Sequence, residues 1–320
     1  MSLHPCFKSP LSDRMEQFVA YKQMQGYDYE ASANTLVFFD RFLCETNCLG
    51  EVLRSDCFPR YLETLSHLKP KTRESRLGVV HQFSLYLNVY RPESKVMALR
   101  LLPPFTRNIR FFRICSADVS RLMDAAKELP PKGGIRGPCI RFLLGLLYTT
   151  GLRISEAIHL NLGDIDLQRN TLFVRRGKFG KDRLISLESS TAKALKRWLK
   201  VRELYAGTGA SAALLVVAPN KRLTPHQARR AFRRLCEKCD IKGDPSPRLH
   251  DLRHNFACDC MERWRAEGQD IQTLFPILST AMGHVDPRAT QRYIHIRAAT
   301  LHSASEKIRN QFIQPTEETP

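Results

Sequence analysis

Residues 249–260 read LHDLRHNFACDC and residues 281–296 read AMGHVDPRATQRYIHI, and the interpretation of the chain turns on these two segments. In the first, His250 and Arg253 stand at i and i+3, a spacing that puts both on one face of a helix. In the second, His284 follows Gly283, and Tyr293 lies nine residues further on. A guanidinium stays ionised at any working pH and meets phosphate oxygens through two parallel hydrogen bonds. A phenol, with an ordinary pKa of about 10, attacks only where a base takes its proton and cations stabilise the product. Together the segments offer both kinds of group.

Two residues upstream complete a phosphate-handling set. Arg153 follows TTG at the end of the strongly apolar stretch CIRFLLGLLYTTGLRISEAIHL, residues 139–160, where a site arginine is buried and a surface one solvated. Glu156 either orients Arg153 or belongs to the next helix. Lys178 lies in GKFGK, between TLFVRR and DRLISL, two β-like runs whose separation predicts a hairpin. Lys181, three residues on, competes for the same role. His250 and His254 at i and i+4 also resemble half of a metal site, but Asp251 stands where the HExxH arrangement has Glu. No cofactor or metal is expected: there is no phosphate-cradling GxxxxGK[ST] loop and no carboxylate cluster.

The charge balance names the partner. The chain carries a net +18, and its distribution is uneven: through Phe105, 13 Lys+Arg face 11 Asp+Glu, whereas the rest carries 37 against 21. The excess of +16 therefore lies with the proposed site, and a polyanion is its natural partner, because neutralised phosphates release condensed counterions. A basic surface kept only for solubility is the alternative reading of the charge alone; double-stranded DNA is the polyanion that the family resemblance given below implies. No run approaches the roughly 18–20 apolar residues of a membrane span, and MSLHPCFKSP lacks the apolar core of a signal peptide, so a cytoplasmic location, with the DNA, is expected and no membrane partner. Ten scattered cysteines without an export signal read as reduced thiols; the CxxC of Cys236 and Cys239 has no second half at zinc-finger spacing.

At 320 residues there is room for two domains. Residues 1–90 read as a small helical module, with helical spacing in DRMEQFVAYKQMQGY and ASANTLVFFDRFLCE and two further segments ending before Lys69-Pro70 and Arg91-Pro92. Residues 91–113, with three prolines and six basic residues and no sustained period, read as a basic linker. Residues 114–320 read as a second, mostly helical domain with a small inserted sheet and a C-terminal tail, with Ser116 a candidate N-cap and helices at 190–206, 224–240 and from Arg248. The fold class expected is mainly α with a small β-sheet, α+β.

The order Arg153, Lys178, His250-x-x-Arg253, His284, Tyr293 resembles the tyrosine recombinase (phage integrase) family. TGLRISEA, GKFGKDRLISL, LHDLRHNFA and MGHVDP carry the resemblance across roughly residues 116–310, and residues 13–90 carry it more weakly as the helical core-binding domain of such enzymes. It implies a site-specific recombinase or integrase that cleaves and rejoins duplex DNA through a 3′-phosphotyrosyl intermediate and a Holliday junction. On that resemblance Arg153 and Arg253 clamp the phosphate, Lys178 is the general acid, His250 assists proton transfer, His284 hydrogen-bonds the scissile phosphate and Tyr293 is the nucleophile. Four protomers on DNA, alike or with related recombinases, are implied. The tail HIRAATLHSASEKIRNQFI docks either on a neighbouring protomer or on its own domain. The interval from Arg253 to His284 is longer than in the shortest members, which points to a transposon-type branch. Two rival readings remain: a type IB topoisomerase, and a DNA-binding protein that keeps the fold without catalysis.

Overall fold

The computed structural model describes residues 6–46, 50–98, 111–175, 182–209 and 212–283. The chain divides into two compact units, Met1–Asn108 and Ile109–Pro320.

The first unit is built from α1 (Ser12–Met24), α2 (Glu30–Glu45), α3 (Cys57–Thr64) and α4 (Pro70–Tyr90). Their apolar stripes meet in a core rich in aromatic rings: Phe18 packs edge-on to Phe83, with centroids 5.6 Å apart, and Phe39 edge-on to Tyr61 at 4.9 Å. Pro70 opens α4, where its missing N–H costs nothing. The buried Asp40 carboxylate accepts the backbone N–H groups of Lys8 (2.7 Å) and Ser9 (3.0 Å) and so anchors the segment that leads into α1. Of the basic stretch 91–113, the part up to Ala98 folds onto this unit: Met97 is buried, and its N–H donates to Ser84 Oγ at 3.0 Å.

The second unit carries a larger core around α6 (Arg136–Thr150), which is buried on most faces through Ile140, Leu143, Leu144, Leu146 and Leu147. Against it lie α5 (Ser116–Ala125), capped by the Cys115 thiol one residue before the expected Ser116, and α8 (Ser189–Glu203). The short helix α7 (Ile154–His159) follows α6 after a reversal at Gly151. That glycine has φ +63°, and a Cβ there would stand 2.3 Å from the Phe256 ring, so both backbone and space demand glycine.

A three-stranded antiparallel sheet comes next, in the order β1 (Ile165–Asp166), β2 (Thr171–Val174), β3 (Arg183–Ser186). The expected hairpin is β2 with β3, in register from Thr171↔Ser186 to Val174↔Arg183. Leu172, Val174 and Ile185 face the core. A second, two-stranded sheet of β4 (Val216–Ala218) and β5 (Lys221–Arg222) was not anticipated; its strands are too short to show a period. Three further helices follow: α9 (Pro225–Lys238), α10 (Asp251–Ala266) and α11 (Ile271–Ala281). The mainly helical, small-sheet architecture is the α+β class expected.

Candidate active site

Three chain segments bring arginines to the C-terminal end of α11. The first is the turn after α6, where Arg153 caps α7. Glu156, at the third position of that helix, reaches back to accept the Arg153 N–H at 2.8 Å, half of a capping box, and accepts Arg153 Nη1 at 2.7 Å. Arg153 Nη2 then donates to the Gly283 carbonyl at 2.8 Å.

The second segment is the start of α10. Arg253 is only 2% exposed, and its guanidinium donates to the Gly151 carbonyl and, at 2.6 Å, to that of Met282. His250 occupies the N-cap of α10 with solvent access, so it and Arg253 share the first turn as their spacing predicts. Asp251, fully buried, stands between them in the chain and accepts the Arg248 N–H (2.8 Å) and guanidinium (2.9 Å). The rings of His250 and His254 meet edge to face, centroids 4.7 Å apart, and His254 also packs on Phe111. Among the described residues no three His, Cys, Asp or Glu side chains converge on a common point.

The third segment is β3, and its arginine is the one that sequence reasoning missed. Arg183 donates from Nη1 to Glu156 Oε1 at 3.0 Å, from Nη2 to Glu156 Oε2 at 2.8 Å and from Nε to the Ala281 carbonyl at 3.0 Å. Three consecutive carbonyls, Ala281, Met282 and Gly283, are thus each taken by a different arginine: 183, 253 and 153. The exposed carbonyls of a helix C-terminus attract cations, and here they are met by three. The only sequence signal for Arg183 is its position in the predicted second strand, a place more often occupied by a solvated side chain.

Electrostatics follow from this packing. Burial pushes the Glu156 carboxyl up, but hydrogen bonds from Arg183 and the Arg153 N–H, with the charges of both guanidinium groups, outweigh it and hold the pKa down at about 2. The protein crowded round His250 lowers its pKa below the ordinary value, and the nearby charges of Arg253, Arg248 and Arg153 add to this against the opposing Asp251. Its imidazole is therefore neutral near pH 7 and able to accept a proton.

Behind α10, the buried Asn255 fixes the helix in place. Its Oδ1 accepts Arg113 Nη1 at 2.9 Å and the Ile114 N–H at 3.2 Å, and its Nδ2 donates to the Asp251 carbonyl at 2.7 Å. Arg113, the last residue of the basic stretch, also pairs with Asp259 and Glu262 on α10. On the outer face of the unit, α9 turns Arg229, Arg230, Arg233 and Arg234 to solvent, and among the described residues none of these four pairs with a carboxylate.

Arg153, His250 and Arg253 are therefore brought together. Lys178, Lys181, His284 and Tyr293 lie outside the described residues; the strands flanking Lys178 pair as far as Val174↔Arg183, and His284 directly follows the clasped Gly283.

Residues 113–300 match the model of the phage integrase family. A candidate integrase/recombinase of Sinorhizobium fredii is 31% identical over 311 residues, covering 95% of this chain and 98% of its own. The tyrosine recombinase XerA of Pyrococcus furiosus is 30% identical over 303 residues, with 94% and 95% covered. Among solved structures, the Tn1549 transposon integrase in complex with transposon right end DNA gives a TM-score of 0.65 at 17% identity, covering 93% of this chain and 98% of that one. A lambda integrase dimer bound to a COC′ core site gives 0.62 at 13% identity, covering 88% and 76%. At these identities the structural likeness speaks for the fold.

Proposed function

The chain belongs to the phage integrase family of tyrosine recombinases, and from that premise we propose that it cuts and rejoins duplex DNA at a specific site with Tyr293 as nucleophile. The phenol oxygen attacks the scissile phosphorus while His250 takes its proton. The P–O5′ bond breaks as Lys178 protonates the leaving oxygen, and a 3′-phosphotyrosyl bond forms. Attack by a 5′-hydroxyl from the partner duplex reverses these transfers and releases the tyrosine. Arg153 and Arg253 stabilise the charge that builds on the non-bridging oxygens, with His284 as a further donor. Phosphodiester energy is retained in the phosphotyrosine, so the cycle closes without a nucleotide.

The observation that carries this reading is the convergence of Arg153 and Arg253 on neighbouring carbonyls, with His250 close enough for both charges to depress its pKa. The exposed guanidinium face of α9 supports duplex DNA as the partner. The helical unit of residues 1–90 completes the grip on DNA, and exchange of strands through a Holliday junction calls for four protomers, of this chain or with related recombinases. Among the described residues no helix is long and apolar enough to cross a membrane, and we place the protein with its DNA in the cytoplasm.

Covalent trapping tests the proposal. The protein is incubated with nicked duplexes drawn from the DNA flanking its own gene, and denaturant-resistant adducts are mapped. Wild type should form an adduct at Tyr293 while Tyr293→Phe binds equally well and forms none. An adduct in the Phe variant, or none in wild type with binding intact, overturns the reading, and relaxation of a plasmid without a recombination site would assign the tyrosine to topoisomerase chemistry instead.

A further inference from the structure

We propose that Arg183 is a positioning residue for the cleavage step, keeping the positive charge of Arg153 available to the scissile phosphate. The inference rests on the recombinase reading and adds a residue to it.

The argument begins with Glu156. A carboxylate has about four lone-pair positions, and here all four are filled: Oε1 accepts Arg153 Nη1 and Arg183 Nη1, and Oε2 accepts the Arg153 N–H and Arg183 Nη2. Glu156 holds Arg153 in place, but a lone carboxylate beside a phosphate-binding guanidinium cancels the charge that the phosphate must feel. The second guanidinium removes that conflict. With Arg153 and Arg183 both on Glu156 the cluster carries one net positive charge, and Arg153 is the member whose Nη2 is off the carboxylate, on the Gly283 carbonyl. Arg183 itself is nearly buried and engages Glu156 and the Ala281 carbonyl with all three nitrogens, so it acts through Arg153. It also joins three catalytic segments: it sits on the strand that closes the lysine hairpin, it holds the carboxylate that orients Arg153, and it binds the helix end that leads into His284.

The test is single-turnover cleavage of a nicked duplex, with binding affinity and thermal melting measured alongside. Arg183→Gln should slow cleavage about 100-fold while the DNA dissociation constant changes less than about threefold. The discriminating variant is the charge-balanced pair Glu156→Gln with Arg183→Gln, which restores one net positive charge and should cleave at least about tenfold faster than Arg183→Gln alone; a merely structural role predicts a further loss. In an Arg153→Lys background, Arg183→Gln should cost less than about threefold more, because the residue it serves is already impaired. A wild-type rate for Arg183→Gln, no recovery in the balanced pair, or full additivity with Arg153→Lys overturns the proposal. If Arg183→Gln does not fold, the same cycle is run with Arg183→Lys, and additivity there overturns it equally. Wild type is run in parallel: an adduct from wild type with an unaffected Arg183→Gln sinks this inference alone, whereas no adduct from wild type sinks the recombinase reading beneath it.

Discussion

Gly283 lies so close over the guanidinium of Arg183 that a Cβ at that position would stand 2.8 Å from Nη1 and 2.9 Å from Cζ. The arginine cannot yield without releasing Glu156 or the Ala281 carbonyl, and the glycine, at φ +65°, occupies backbone space that other residues enter at a cost. Gly283→Ala should therefore lose about 1–3 kcal/mol of stability and slow cleavage at least about tenfold, with DNA affinity nearly unchanged. Melting curves and single-turnover cleavage check this. Wild-type cleavage by the alanine variant would show that the close packing is not needed.

The Glu156 carboxyl gives the protein a defined acid sensitivity. Its folded pKa of about 2 lies below the ordinary 4.5, so the unfolded chain binds the proton more tightly. Its contribution, on the order of 3 kcal/mol, is complete above pH 4.5 and disappears as pH falls from there towards 2. Denaturation followed across that range should show wild-type stability falling more steeply than that of Glu156→Gln. Equal slopes would mean that other carboxylates set the acid limit.

His250 predicts the pH profile of the reaction itself. With its pKa lowered, the loss of cleavage on acidification should set in below pH 6.5. Replacing Arg248 by Gln removes a nearby positive charge and frees Asp251 to favour the protonated ring; both effects raise the pKa, so the acid limb should move upward. Cleavage rates measured between about pH 5 and 8 decide the matter, and a limb that moves down in Arg248→Gln rules out His250 as the titrating group.

Salt dependence reports on α9. If its four exposed arginines face DNA phosphates, each change to Gln at Arg229, Arg230, Arg233 or Arg234 should lower the slope of log affinity against log salt by about 1, with little effect on the cleavage rate of bound complex. An unchanged slope in the fourfold variant would place the DNA on another face.

What could be read from the sequence follows the physical reach of each signal. The helices of the first unit, α5 to α10 and the β2–β3 hairpin announce themselves through apolar periodicity and turn residues. Arg153, His250 and Arg253 were legible because side chains that share a job stand at recognisable spacings, and the structure brings these three together. Glu156 was left between two roles, and only the geometry shows that it orients Arg153. Arg183 was not legible: an arginine on a short strand looks like a solvated one, and its partners lie 27 and 98 residues away. The sequence reads as helical from Arg248 with no break marked, but Gly268, at φ +68°, divides the stretch into α10 and α11. That break aims the end of α11 at the site.

The clasp on residues 281–283 uses main-chain oxygens, which every amino acid supplies. Side chains there can drift while the grip persists, which hides it from any motif. The number of residues cannot drift in the same way: deleting one within α11 would offer each arginine its neighbour's carbonyl and rotate whatever follows by about 100° about the helix axis. A length change in the turn between Ala266 and Ile271, upstream of the clasp, would instead leave the pairing of arginines and carbonyls as it is. The chain thus counts residues from the clasp rather than from α10.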